Sequence, residues 1–227
     1  MVRMAAMEMA AWLDHYFPAI TFSGWSEDAC WLGLMKTRQS EHNPPFYWLG
    51  RALDAIAEAG AGEAYGRRLV AAHGAEPCGA AADRDQRAQD VLSEACAFAW
   101  AVAHLGPPRF EAAAAGAALD QGPVRLYVPA HDVYVAPARL RAQRSMEQVI
   151  GAIAAEAARA AVTLPPARGR ILYLDTWHEP RYAQNVGYRL ELTEPVQEAL
   201  RHHAGEAHLG HVFSRPFQWG NPIEAQY

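Results

Sequence analysis

Three groups of side chains in this sequence carry types and spacings that could do chemistry. Asp175, His178 and Glu179 fall in the stretch Asp175-Thr176-Trp177-His178-Glu179-Pro180, directly after an apolar run. Polar residues just past the carboxyl end of a strand are where sites of open α/β sheets tend to lie. An aspartate, a histidine and a glutamate there would suit acid–base hydrolysis, with or without metal assistance. A polar strand exit before a proline turn is the plainer account. His202, His203, His208 and His211 fall within ten residues. Zinc needs three or four convergent ligands, and His203, His208 and His211 would supply three. Gly205 breaks the helix between them, and neither an H-E-x-x-H motif nor a cysteine partner accompanies them. Histidines at a helix C-terminus also suit the dipole, so no metal is expected. The third group is Arg139, Arg141 and Arg144, with Arg125 brought near by a predicted hairpin. It is the one dense basic patch, and guanidinium groups so placed would contact nucleic-acid phosphates. Arginine stems lying over apolar neighbours at a solvated helix entry are the plainer account.

The elements that must position these groups follow from periodicity. Leu49, Leu53 and Ile56 recur at helical spacing before Gly60 and Gly62, and a further helix runs from about Glu63 to His73. Residues 74–85 carry Pro77 and Gly79 and read as a linker. Val91, Ala95, Phe98, Val102 and Leu105 line one face of a longer helix that Gly106-Pro107-Pro108 terminates. The segment 110–119 is ambiguous: its alanine run suits a helix and its position suits a short strand. From Val124 the period becomes two, and Pro129-Ala130-His131-Asp132 reads as the turn of a hairpin. Ser145 with Gln148 three residues later forms a capping-box pattern at the start of another helix. Ile171-Leu172-Tyr173-Leu174 is a continuous apolar run, as a strand covered on both faces requires. Residues 186–192 suit a further strand, and Thr193-Glu194-Pro195 starts a helix that ends near Gly205. The fold class is therefore α+β. Residues 1–80 form a helical, aromatic-rich N-terminal part and residues 81–227 a mixed-sheet core flanked by helices.

From Asp85 onward the order helix, ambiguous segment that suits a short strand, strand, strand, helix, strand resembles the core of the PD-(D/E)xK nuclease superfamily. Glu94, in Leu92-Ser93-Glu94-Ala95-Cys96, stands where that family's first helix carries an acid. The run Val133-Tyr134-Val135-Ala136-Pro137-Ala138-Arg139-Leu140 is similar to its strand ending in E-x-K followed by arginine. The resemblance implies a metal-dependent phosphodiester site, but Ala136 and Ala138 occupy the glutamate and lysine positions. Arg125 stands near the place of the metal-binding aspartate, and Asp120 is the nearest acid. Magnesium needs hard oxygen ligands, and alanine offers none. What the resemblance implies here is a degenerate core that binds without cutting.

Composition narrows the rest. Among 227 residues, 20 are basic and 25 acidic, a net charge of −5, and 51% are hydrophobic, which excludes a disordered acidic chain. Nineteen of the 20 basic residues are arginine, so Lys36 alone is available for Schiff-base or phosphate-lysine chemistry. No nucleophile elbow, Walker loop, dinucleotide fingerprint or calcium loop is present. Cys30, Cys78 and Cys96 are odd in number and widely spaced, which argues against a disulfide framework. Residues 1–13 are interrupted by Glu8 and lack a cleavage pattern, so a cytoplasmic protein with no membrane association and no cofactor is expected. Nine of the 23 aromatic residues fall within the first 48. Rings so dense must pack on the core or on another chain, so a protein partner or a homo-oligomer is expected, with nucleic acid as a further partner. The leading expectation is a non-catalytic binding or assembly subunit acting near nucleic acid. The rival is a hydrolase using Asp175, His178 and Glu179.

Overall fold

The computed structural model describes residues 14–15, 44–73, 82–114, 117–119, 122–141, 145–176, 194–204 and 209–214. In chain order its elements are α1 (Pro44–Glu58), α2 (Gly62–His73), α3 (Ala82–His104), β1 (Arg109–Ala112), β2 (Val124–Val128), β3 (Val133–Arg139), α4 (Met146–Thr163), β4 (Gly169–Asp175), α5 (Glu194–Ala204) and β5 (Leu209–Phe213). The class is α+β, as the sequence predicts. Among the described residues, no helix is long and apolar enough to cross a membrane.

The five strands lie in sequence order. β1, β2 and β3 are antiparallel neighbours, and β3, β4 and β5 run parallel. The change of direction follows from the connections. A four-residue turn joins β2 to β3, whereas the 18-residue helix α4 carries the chain from β3 back to the start of β4, as a parallel crossover requires. In the turn Asp132 takes a positive φ of 53°, which its short polar side chain tolerates. That side chain accepts the Arg168 N–H at 3.0 Å and fixes the turn against the start of β4. The cap of α4 is as predicted: Ser145 Oγ accepts the Gln148 N–H at 3.3 Å.

Alternation of side chains separates two apolar layers. Leu126, Val128, Val133, Val135, Tyr173 and Val212 face α1, α2 and α3, where Leu49, Ile56, Leu69, Phe98 and Trp100 are fully or almost fully buried. Ala136, Ala138, Leu172, Leu174, Leu209 and Phe213 face α4 and α5 around Ile153 and Leu200. Covering on both faces explains why β4 reads as unbroken apolar sequence. It also accounts for most of the burial energy, at about 1.5–3 kcal/mol per large apolar side chain. Residues before the 74–81 segment and residues after it share the first of these layers.

One open alternative is decided and one element is new. The ambiguous stretch 110–119 begins as strand β1, with Phe110 opposite Leu126. β5 has no counterpart in the sequence reading, which ends a helix near Gly205 and assigns no element after it. Leu209-Gly210-His211-Val212-Phe213 is too short and too irregular in alternation to declare itself, and its pairing with β4 defines it. The strand expected over 186–192 lies outside the described residues.

Candidate functional site

The β2 and β3 strands part company early. Their pairing covers Leu126–Val128 against Val133–Val135, while β4 follows β3 as far as Arg139. Pro137, which has no N–H, sits where the β2 ladder stops. The C-terminal half of β3 is therefore paired on one side only. In this notch lies a cleft of about 600 Å³ bounded by α2, α3, the start of β2, the end of β3 and α4.

Charge is concentrated there. Among the described residues, Arg68, Arg87, Arg139, Arg141 and Arg159 line the cleft with Asp90, Glu94 and Glu156, giving +2 from five cations and three anions. Each carboxylate is held by an arginine. Glu94 takes two hydrogen bonds of 2.6 Å from Arg68 in a buried pair. Asp90 accepts from Arg139 Nε at 2.8 Å and, on its other oxygen, from Arg141. Glu156 accepts from Arg159 Nε at 2.7 Å, and Arg159 also donates to the Pro137 carbonyl at 3.4 Å. Burial pushes the Glu94 carboxyl above its ordinary value, an effect that the Arg68 hydrogen bonds oppose.

The Arg139 side chain is buried and turned onto α3. Besides Asp90 it donates to the Gln89 side chain at 2.9 Å and the Gln86 side chain at 2.6 Å, so all three of its nitrogens are spent on α3. Its role is to anchor the end of β3. Arg141 is different: its side chain is 54% exposed and one nitrogen reaches Asp90. Arg87 is exposed and donates from Nε to the Ala72 carbonyl at 3.2 Å.

The predicted groups fare unequally. Arg139 and Arg141 come together on Asp90, but Arg125 points to the opposite face of the sheet. There it donates to Glu111, the Ala113 carbonyl and, at 3.5 Å, the Thr163 carbonyl, and it lies 5.2 Å over the Tyr134 ring. Arg144, His178, Glu179 and His208 lie outside the described residues, as does Asp120. Asp175 is fully buried at the end of β4. Its carboxylate accepts from Ser214 Oγ at 2.9 Å, and its carbonyl accepts the Leu140 N–H. His202 is exposed on α5; His211 is half-buried on β5, opposite Leu172. Among the described residues, no group of three or more His, Cys, Asp and Glu could hold a metal ion. Ala138 lines the cleft, and both it and Ala136 face α4.

Arg68, Arg87, Arg159, Asp90 and Glu156 were not singled out from sequence. The spacings Arg87–Asp90 and Glu156–Arg159, each i,i+3 on a helix, mark same-face pairs that such a reading could have used. Arg68 carried no local signal. Compared with family models, with curated proteins and with solved structures, the chain finds no match in any of the three.

Proposed function

We propose that this chain is a non-catalytic binding subunit on a degenerate nuclease-like core, with the arginine-lined cleft receiving the phosphates of nucleic acid. The observation that carries the reading is the state of the cleft's acids. A hydrolytic metal site needs carboxylates that converge on one ion, whereas Asp90, Glu94 and Glu156 are each tied to an arginine and leave a net positive surface. The order α3–β1–β2–β3–α4–β4 supports the nuclease-like part of the reading, as does the position of Glu94 and Ala138 on one cleft. The assembly part rests on composition, on the nine aromatic residues within the first 48. A protein partner or a second copy of the chain would cover them.

The test is titration of the full-length chain with a fluorescent single-stranded oligonucleotide at several salt concentrations, beside an incubation with magnesium or manganese. Expected are binding that weakens steeply with salt, its loss in Arg141→Glu, and an intact oligonucleotide. Metal-dependent cleavage abolished by Glu94→Gln would overturn the non-catalytic reading. Absence of binding at low salt would overturn the nucleic-acid reading.

A further inference from the structure

The cleft's lining is as informative for what it lacks as for its charge. Apart from arginines and carboxylates, every lining residue among the described ones is alanine, valine, leucine, proline or glycine. Nucleobases are recognised by stacking on aromatic rings or guanidinium planes and by arginine, carboxylate, amide and hydroxyl groups facing their edges. Among the described residues no ring, amide or hydroxyl lines this cleft, and its three carboxylates are already tied to arginines. Such a lining suits an occupant with an anionic group for the arginines and an aliphatic or sugar body for the small apolar wall.

The charge of that group follows from the pairing. Arg68 cancels Glu94 and Arg159 cancels Glu156, which leaves Arg87, Arg139 and Arg141 against Asp90 alone. Arg139 lies with its side chain buried and each of its three nitrogens bonded to α3. The two surplus charges therefore sit on Arg141, bonded to Asp90, and on Arg87, three residues before Asp90 on the same face of α3. Both are exposed. The two terminal nitrogens of Arg87 have no hydrogen-bond partner among the described residues. Arginine forks suit the paired oxygens of phosphate. A phosphodiester carries one negative charge and would leave one arginine uncompensated. A phosphate monoester carries about −1.5 to −2 with three strong acceptor oxygens, which matches two guanidiniums. A volume of about 600 Å³ falls within the range of small-ligand sites, roughly 300–1,000 Å³, and admits a sugar phosphate.

Building on the function proposed above, we infer that the cleft is a phosphate-monoester site, with Arg87 and Arg141 as the phosphate clamp. The group would come from a sugar phosphate or from the 5′ end of a nucleic-acid strand.

Isothermal titration of the full-length chain with ribose 5-phosphate, with ribose, and with one single-stranded oligonucleotide bearing a 5′-phosphate or a 5′-hydroxyl separates these. Ribose 5-phosphate is expected to bind and ribose not to. The phosphorylated strand should bind about tenfold tighter than the hydroxyl strand or better, a difference lost in Arg87→Gln and in Arg141→Gln. Both side chains are exposed, so unchanged thermal unfolding of the variants verifies that the fold is kept. If both strands bind equally and ribose 5-phosphate does not bind, the monoester inference is wrong while the nucleic-acid reading stands. If neither strand binds but ribose 5-phosphate does, the monoester site stands with a small-molecule source and the nucleic-acid reading falls. If nothing binds, both fall. Binding of ribose 5-phosphate that both variants retain would overturn the assignment of the clamp.

Discussion

Arg68 on α2 and Glu94 on α3 meet side by side, Nε and Nη2 of the guanidinium each 2.6 Å from a different carboxylate oxygen. The remaining nitrogen, Nη1, donates to the Leu119 and Gly122 carbonyls at 2.6 and 2.7 Å. One buried arginine thus joins two helices to the connection between β1 and β2, and forms the floor of the cleft. The Glu94 carboxylate is thereby committed to a structural bond.

Removing one partner leaves the other charge buried and unpaired, which costs about 3–5 kcal/mol. Glu94→Ala is therefore expected to lower stability by that amount in urea unfolding. The double substitution Arg68→Met with Glu94→Leu should recover a large part of it, since a well-packed apolar pair of similar volume is often neutral or better. A Glu94→Ala chain as stable as the parent would contradict the structural role given to the pair.

Gly169 starts β4 directly opposite Val133, and a Cβ there would come within 2.9 Å of Val133 Cγ2. A β-branched side chain in a strand has little freedom to turn aside. Gly169→Ala should cost about 1–3 kcal/mol by overpacking, and Val133→Ala in the same chain should return part of that loss. Independent, additive effects in the double-substitution cycle would show that the two positions do not touch as described.

His211 is half-buried on β5, and burial pulls its imidazole below the ordinary value of 6.5. In the unfolded chain the same group takes up its proton at the ordinary value, so on acidification the unfolded state binds the proton first. Its contribution to stability is complete above pH 6.5 and is lost as the pH falls through that value toward the folded pKa. Chemical unfolding at a series of pH values should show stability falling below pH 6.5, with a shallower fall in His211→Gln. Parallel curves for the two chains would remove His211 as a source of the effect.

Local signals decided the elements, because caps and periodicity depend on residues within about one or two turns of each other. Ser145 and Gln148 announced α4, the alternation of Val124, Leu126 and Val128 announced β2, and the unbroken run Ile171–Leu174 announced a central strand. The same signals failed where a segment is defined by its neighbour. The Arg109–Ala112 strand sits beside an alanine run that favours helix, and Leu209–Phe213 becomes a strand only by pairing with β4.

What tertiary structure alone decided is which charges meet. Arg139 and Arg141 reach Asp90 across separations of 49 and 51 residues, and Arg68 reaches Glu94 across 26. Arg125 is parted from Arg139 although their strands are adjacent. The pleat sends alternate side chains to opposite faces, and register sets Leu126, not Arg125, against Val135 on the face that meets α3. The sequence held every arginine of the cleft, but the pairing that neutralises its acids and leaves Arg87 and Arg141 over is a property of packed helices and strands. No spacing along the chain encodes it, because the opposing faces are fixed by burial of the two apolar layers and not by local geometry.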